Sequence, residues 1–151
     1  MKSVYNSLNG LFKNKNSEIM SIYFTAGFPE LNSTVEIITS LARHGADMLE
    51  IGIPFSDPVA DGPIIQKSNT IALKNGMSLA LLFKQLEGIK KIINIPLLLM
   101  GYFNPILQFG VENFCKKCNE VGIDGVIIPD LPFDIYIKKY KHIFQNLNIH
   151  F

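Results

Sequence analysis

Leu49-Glu50-Ile51-Gly52-Ile53-Pro54-Phe55-Ser56-Asp57-Pro58-Val59-Ala60-Asp61-Gly62 is the stretch from which the fold can be read. It opens as a short apolar run, Met48 to Ile53, interrupted by one acid, and then breaks into turn-forming residues with two prolines and two aspartates. A β-branched run that ends in Pro and Ser-Asp-Pro reads as a buried strand entering a loop. In α/β proteins the loops beyond the C-terminal ends of strands carry the chemistry. Side chains two apart share a strand face, so Leu49, Ile51 and Ile53 point one way and Glu50 and Gly52 the other. An acid on an inner sheet face is costly to ionise, and a carboxyl held near the working pH suits general acid–base catalysis. Glu50 is therefore a candidate catalytic residue, with a structural ion pair as the alternative. Asp61, carried on the loop above, is the second candidate. Its alternative is helix initiation, since Asp61-Gly62-Pro63 precedes an apolar-periodic segment and Pro63 suits a first helical position.

The rest of the chain repeats this unit. Residues 3 to 14 form an amphipathic pattern (Val4, Leu8, Leu11, Phe12) that predicts a short helix. Ile19 to Ala26 predicts a strand closed by Gly27-Phe28-Pro29. Asn32-Ser33-Thr34 supplies N-cap chemistry for a helix striped by Val35, Ile37, Ile38, Leu41 and Ala42 and stopped at His44-Gly45. After the strand at 47–53, Pro63 to Lys74 reads as helix, and a further helix opens at Ser78 with Leu79, Leu82, Phe83, Leu86 and Ile89 in step. Ile95 to Tyr102 reads as a strand buried on both sides, ending in a loop at Tyr102-Phe103-Asn104-Pro105. Gly110 to Glu120 reads as helix, Gly125 to Ile128 as a fourth strand, Phe133 to Asn146 as helix, and Ile149-His150-Phe151 as the onset of a fifth strand. Strand and helix alternating four times predict a parallel sheet with helical crossovers. Doubly wound folds and the (β/α)₈ barrel both fit. A barrel needs about 250 residues, so these elements would make up the first half of one, a partial-barrel domain over residues 1–151.

Composition narrows the class. The chain has 151 residues, 48% of them hydrophobic, and a net charge of +1. Near-neutral charge without a basic stripe argues against nucleic-acid binding. The N-terminus has no apolar core of a signal peptide, and the longest apolar run, Ile95 to Met100, is strand-sized, so a cytoplasmic protein is expected. Cys115 and Cys118 form a lone Cys-x-x-Cys within a helical pattern. Half a zinc site or a redox pair is one reading, two buried thiols on a helix face the other. His44, His142 and His150 show no ligand spacing, and no metal site is expected.

The residues at 50–62 carry a family resemblance. Glu-Ile-Gly-Ile-Pro-Phe-Ser-Asp-Pro-Val-Ala-Asp-Gly, continued by Pro63-Ile64-Ile65-Gln66, closely resembles the signature of the tryptophan synthase α subunit family. Tyr23-Phe24-Thr25-Ala26-Gly27 with Pro29, Met100-Gly101-Tyr102-Phe103-Asn104-Pro105 and Gly125-Val126-Ile127-Ile128-Pro129-Asp130-Leu131-Pro132 resemble that family's first, third and fourth strands with their loops. The resemblance implies a TIM barrel that cleaves indole-3-glycerol phosphate to indole and glyceraldehyde 3-phosphate, in tryptophan biosynthesis. It implies Glu50 and Asp61 as the catalytic pair, no cofactor in this chain, and a pyridoxal-phosphate β subunit as partner, in an α2β2 assembly for the complete chain. It also implies that the loop of Ser56, Asp57 and Pro58 meets that partner; an exposed turn with an Asx motif is the alternative.

Further candidates follow from position. Tyr23, Thr25 and Tyr102 lie at strand ends, where they line a pocket or fill the barrel. Met100, Ile128 and Pro129 would form a flat apolar slot for indole, or core. No Gly-rich phosphate loop is present, and barrel phosphate sites usually follow strands seven and eight. The 151 residues alone are therefore expected to be inactive as a lyase. A half-barrel that only binds or regulates the β subunit is the rival reading.

Overall fold

Each strand is a short run of Ile, Leu, Val or aromatic residues, and each ends where Gly or Pro breaks the ladder. The computed structural model describes residues 4–151. Four strands, β1 (Ser21–Thr25), β2 (Met48–Gly52), β3 (Leu97–Met100) and β4 (Gly125–Ile127), form one parallel sheet in sequence order. The order and direction are those expected of the first half of a (β/α)₈ barrel. A parallel bridge from Gly125 to His150 begins a further pairing beside β4, as the Ile149–Phe151 pattern predicts.

The register sorts the two faces. Tyr23, Glu50, Leu98 and Gly125 share one row, and Thr25, Gly52, Met100 and Ile127 the next. On the opposite face Leu49, Ile51, Leu97, Leu99 and Val126 are all buried. Each such side chain stabilises the fold by about 1.5–3 kcal/mol relative to exposure. The cover is a row of helices: α2 (Ser33–Arg43) packs against α4 (Leu79–Leu86), α4 against α6 (Val111–Val121), and α6 against α8 (Lys141–Asn146). Phe114 and Phe144 are fully buried there, and the Phe83 ring meets Phe114 edge-on at 5.7 Å. On the inner face Tyr23, Glu50, Met100 and Ile127 are only half-buried. β3 is thus sealed on both sides at Leu97–Leu99 but not at Met100.

α1 (Ser7–Asn14) opens with Asn6, whose side chain accepts from the Leu8 amide; residue 3 of the expected helix lies outside the described residues. α3 (Pro63–Lys74) matches its predicted bounds, with Pro63 in its first turn. Four local features differ from expectation. Asn32 precedes α2 but makes no capping bond; the Thr34 hydroxyl instead accepts from the Gly27 amide at 3.1 Å, tying the helix to the β1 loop. α4 stops at Leu86 because Gly88 turns left-handed (φ +76°), and Ile89 is reached through a 3₁₀ turn, Ile89–Lys91. The segment after β3 is not a loop: α5 (Phe103–Phe109) starts at once. Pro105 is tolerated because it sits in the first turn, where amides have no intrahelical acceptor. The last helical segment is α7 (Phe133–Ile135), a π turn over Tyr136–Tyr140, then α8.

Cys115 and Cys118 are free and fully buried against the sheet. Burial pushes the Cys115 thiol up to about 12 and Cys118 well above its ordinary range. Among the described residues no group of three or more His, Cys, Asp or Glu could hold a metal ion. No helix among them is long and apolar enough to cross a membrane.

Candidate active site

The β2 ladder delivers its chain to the C-terminal edge of the sheet, where the Ile53 amide still donates to Met100 O at 2.7 Å. Pro54 then removes a donor, and the chain leaves as a loop. Inside it, the Val59 amide donates to Asp57 O at 3.0 Å and the Asp61 amide to Pro58 O at 3.2 Å. Tyr102, just past β3, fastens the loop from outside: its hydroxyl accepts from the Ala60 amide at 3.0 Å and its ring lies 5.2 Å from Phe55. The amide of Phe103 donates to Asp130 Oδ1 at 2.8 Å, joining the loops after β3 and β4.

Asp61 is not the helix cap. Gly62 holds the N-cap position of α3 without a side-chain bond, so the Asp61 carboxylate is spared that role. Its backbone oxygen is fixed by Gln66 Nε2 at 2.8 Å. The half-buried Asp61 lines a cavity of about 180 Å³ with Tyr23, Ile53, Ala60, Asn69, Met100, Gly101, Tyr102 and Pro129. Ordinary ligand pockets run to about 300–1,000 Å³, so this one suits a flat bicyclic ring and not a ring with a phosphorylated chain. A larger groove of about 450 Å³ lies between α4 and α6, lined by Phe83, Phe109 and Val121 with Lys84, Glu87 and the Lys117–Glu120 ion pair.

Glu50 sits two residues before the end of β2, half-buried in the row of Tyr23. It does not line the cavity; Ser21, on β1, donates to Glu50 Oε1 at 2.6 Å. Tyr23 lines the cavity with Asp61 and is the register partner of Glu50 across the sheet. Burial pushes its phenol above the ordinary value, the nearby Thr25 hydroxyl partly offsets this, and the charges of Asp61 and Glu50 add to the rise. The phenol therefore stays a proton donor across the neutral range.

Of the other candidate residues, Met100, Tyr102 and Pro129 reach the cavity. Thr25 does not: it is buried, with its hydroxyl 2.7 Å from Ser68 Oγ of α3. Ile128 is core. At the loop tip Ser56 and Asp57 are exposed and hydrogen-bonded to each other, Pro58 is buried, and Val59 is 90% exposed. Asn69 is not among the residues the sequence singles out. The signal was an amide standing on the apolar stripe of α3, four residues after Ile65 and three before Ala72.

Parallel strands in sequence order, a helical outer layer, and a cavity with a carboxylate at the C-terminal strand ends define a β/α-barrel enzyme architecture. Residues 11–151 match the family model described as tryptophan synthase alpha chain. The chain is 63% identical over 131 residues to the tryptophan synthase alpha chain of Flavobacterium psychrophilum, covering 87% of this chain and 52% of that one. It is 56% identical over 144 residues to that of Phocaeicola vulgatus, covering 95% and 56%. A crystal structure of tryptophan synthase subunit alpha from Legionella pneumophila superposes with a TM-score of 0.90 at 34% identity, covering 96% of this chain and 56% of that one. A tryptophan synthase complex from Pyrococcus furiosus superposes at 0.79 and 38% identity, covering 86% and 53%. The chain belongs to the tryptophan synthase alpha chain family, and it spans about half the length of the curated relatives it matches.

Proposed function

We propose that the complete protein cleaves indole-3-glycerol phosphate to indole and glyceraldehyde 3-phosphate, as a cytoplasmic enzyme of tryptophan biosynthesis in which residues 1–151 contribute a partial-barrel domain. The observation that carries this is the Asp61 carboxylate, free of helix capping and lining a small, mostly apolar slot. The reaction breaks the bond between indole C3 and the carbinol carbon beside it. A proton is added at C3 and one is taken from the adjacent hydroxyl, so protons balance and the carbinol becomes the aldehyde. Protonated at C3, the ring carries its charge at N1. Asp61 accepts the N1 hydrogen and stabilises that cation by a charge-assisted bond. Glu50 swings from Ser21 to move the protons. Tyr23, Met100, Tyr102 and Pro129 hold the ring, with Tyr102 also holding the loop. Thr25 supports the site through α3.

No Lys or Arg lines this cavity, so the anchor for the phosphate is supplied by residues outside this stretch. The exposed tip at Ser56, Asp57 and Val59 is the surface through which a pyridoxal-phosphate β subunit is met, with Pro58 as its buried hinge. In the full-length gene product, Asp61→Asn and Glu50→Gln each lower indole formation by roughly 10²–10⁴-fold. Near-normal turnover in either variant overturns the assignment. Residues 1–151 expressed alone give negligible turnover, since remote binding energy positions the reacting centre. Co-purification of the full-length gene product with the β subunit without indole formation identifies the docking-only alternative.

A further inference from the structure

Buried polar atoms are nearly always hydrogen-bonded. Among the described residues two buried side-chain atoms have no partner, Gln85 Oε1 and Asn69 Oδ1. Gln85 does not line the cavity; its Nε2 donates to Leu31 O at 2.8 Å, bracing α4 against the loop before α2. Asn69 has no such account. It is 3% exposed, and it lines the same cavity as Asp61 and Tyr23.

Its place is built. The neighbouring Ser68 is bonded to Thr25 at the end of β1, and Gln66, one turn earlier, holds the Asp61 carbonyl. The first turns of α3 are thus fastened at two points, and Asn69 is carried into the cavity on a fixed arm. Of the other groups there, the Tyr102 hydroxyl accepts from the Ala60 amide and the Thr25 hydroxyl beneath Tyr23 is taken by Ser68. The Asn69 oxygen is a buried acceptor without a hydrogen-bond partner, and a turn of the carboxamide about its last torsion presents it to a ligand in the cavity.

The geometry points to Asn69 as a further substrate-binding residue, whose Oδ1 accepts from the hydroxyl of the substrate's carbon chain that takes no part in bond cleavage. This rests on the functional reading above. Three substrate groups can donate: the indole N–H and two chain hydroxyls. Asp61 takes the first. The hydroxyl beside the ring must give up its proton, and a neutral carboxamide is too weak a base to receive it. The second hydroxyl remains, and an amide oxygen holds it without deprotonating it. Asn69 then sets preference for a chain that bears that hydroxyl, because an analogue without it leaves the buried oxygen unpaired.

The test uses the full-length gene product and two ligands: indole-3-glycerol phosphate, and its analogue with both chain hydroxyls replaced by hydrogen. Asn69→Leu removes the acceptor at similar volume; Asn69→Ala serves if the leucine variant does not fold, as judged by circular dichroism. The expected result is a fall of roughly tenfold or more in kcat/KM for the natural substrate. Inhibition by the analogue should stay within about twofold or tighten, since no acceptor is then left unpaired. Equal losses for both ligands would mean that Asn69 only shapes the cavity, and no loss for either that it contacts nothing; each overturns the assignment. A wild-type protein that binds the analogue but does not cleave the substrate overturns the lyase reading, and this one with it.

Discussion

Gly52 shows how closely a single residue is matched to the site. It ends β2 on the inner face, and a Cβ added there would lie 2.7 Å from Cζ of Tyr23. The glycine is the space in which the phenol stands. Gly52→Ala should displace the ring, lowering stability by about 1–3 kcal/mol as an overpacked site does and lowering indole formation more than Thr25→Ser does. Urea denaturation and turnover of the full-length variants check this. The acids themselves were legible in the sequence, as residue types at a spacing. Which way each carboxylate turns was not: Asp61 escapes helix capping only because Gly62 takes that position, and Glu50 is bound by a serine 29 residues earlier.

At the scale of elements, periodicity identified the strands and most helices, while α5 was hidden because Asn-Pro after a strand reads as a loop. Only the backbone shows that Pro105 falls in a first turn. α6 settles its cysteines by burial. With Cys115 pushed up to about 12 and Cys118 well above its usual range, neither should react with a disulfide dye in the native protein at mildly alkaline pH, and both should react after denaturation. Fast native labelling of either would contradict the packing. The start of β2 carries a different device. Lys15 Nζ lies 2.7 Å from Asp47 Oδ2, which also accepts from the Met20 amide at 2.7 Å. These bonds, Lys15 first, hold the Asp47 carboxyl below its ordinary value of 3.8. A depressed carboxylate contributes stability above its unfolded pKa and loses it as pH falls through the folded one. The stability gap between wild type and Asp47→Asn should therefore be present near neutral pH and shrink below about pH 4 in urea titrations.

The molecule as a whole divides its labour between the two ends of the sheet. The C-terminal end holds the cavity; the N-terminal end holds Asp124. This buried carboxylate takes the Leu97 amide at 3.0 Å, Lys90 Nζ at 2.8 Å and the Ser7 hydroxyl at 2.6 Å. Its backbone oxygen takes the His150 amide at 3.0 Å and Asn6 Nδ2 at 2.8 Å. One residue thus joins α1, the 3₁₀ turn, β3, β4 and the bridge beyond. Asp124→Ala should destabilise the fold by about 1–3 kcal/mol, since it leaves the buried Leu97 amide without its acceptor and Lys90 with only the Ile95 carbonyl. In the full-length protein at low temperature, kcat per folded molecule should stay unchanged; denaturant unfolding and active-site titration separate the two.

Local information alone determined the alternation of strand and helix, the apolar face of each strand, and the two acids at the end of β2 and in its loop. Those depend on period and on turn chemistry, which act over a few residues. Tertiary structure decided the rest: Tyr23 and Asn69 in one cavity with Asp61, Tyr102 as the fastening of the loop, and Asp124 as the knot at the far end. Each joins residues from separate elements, and such contacts exist only once the sheet's register brings distant stretches of chain to the same place.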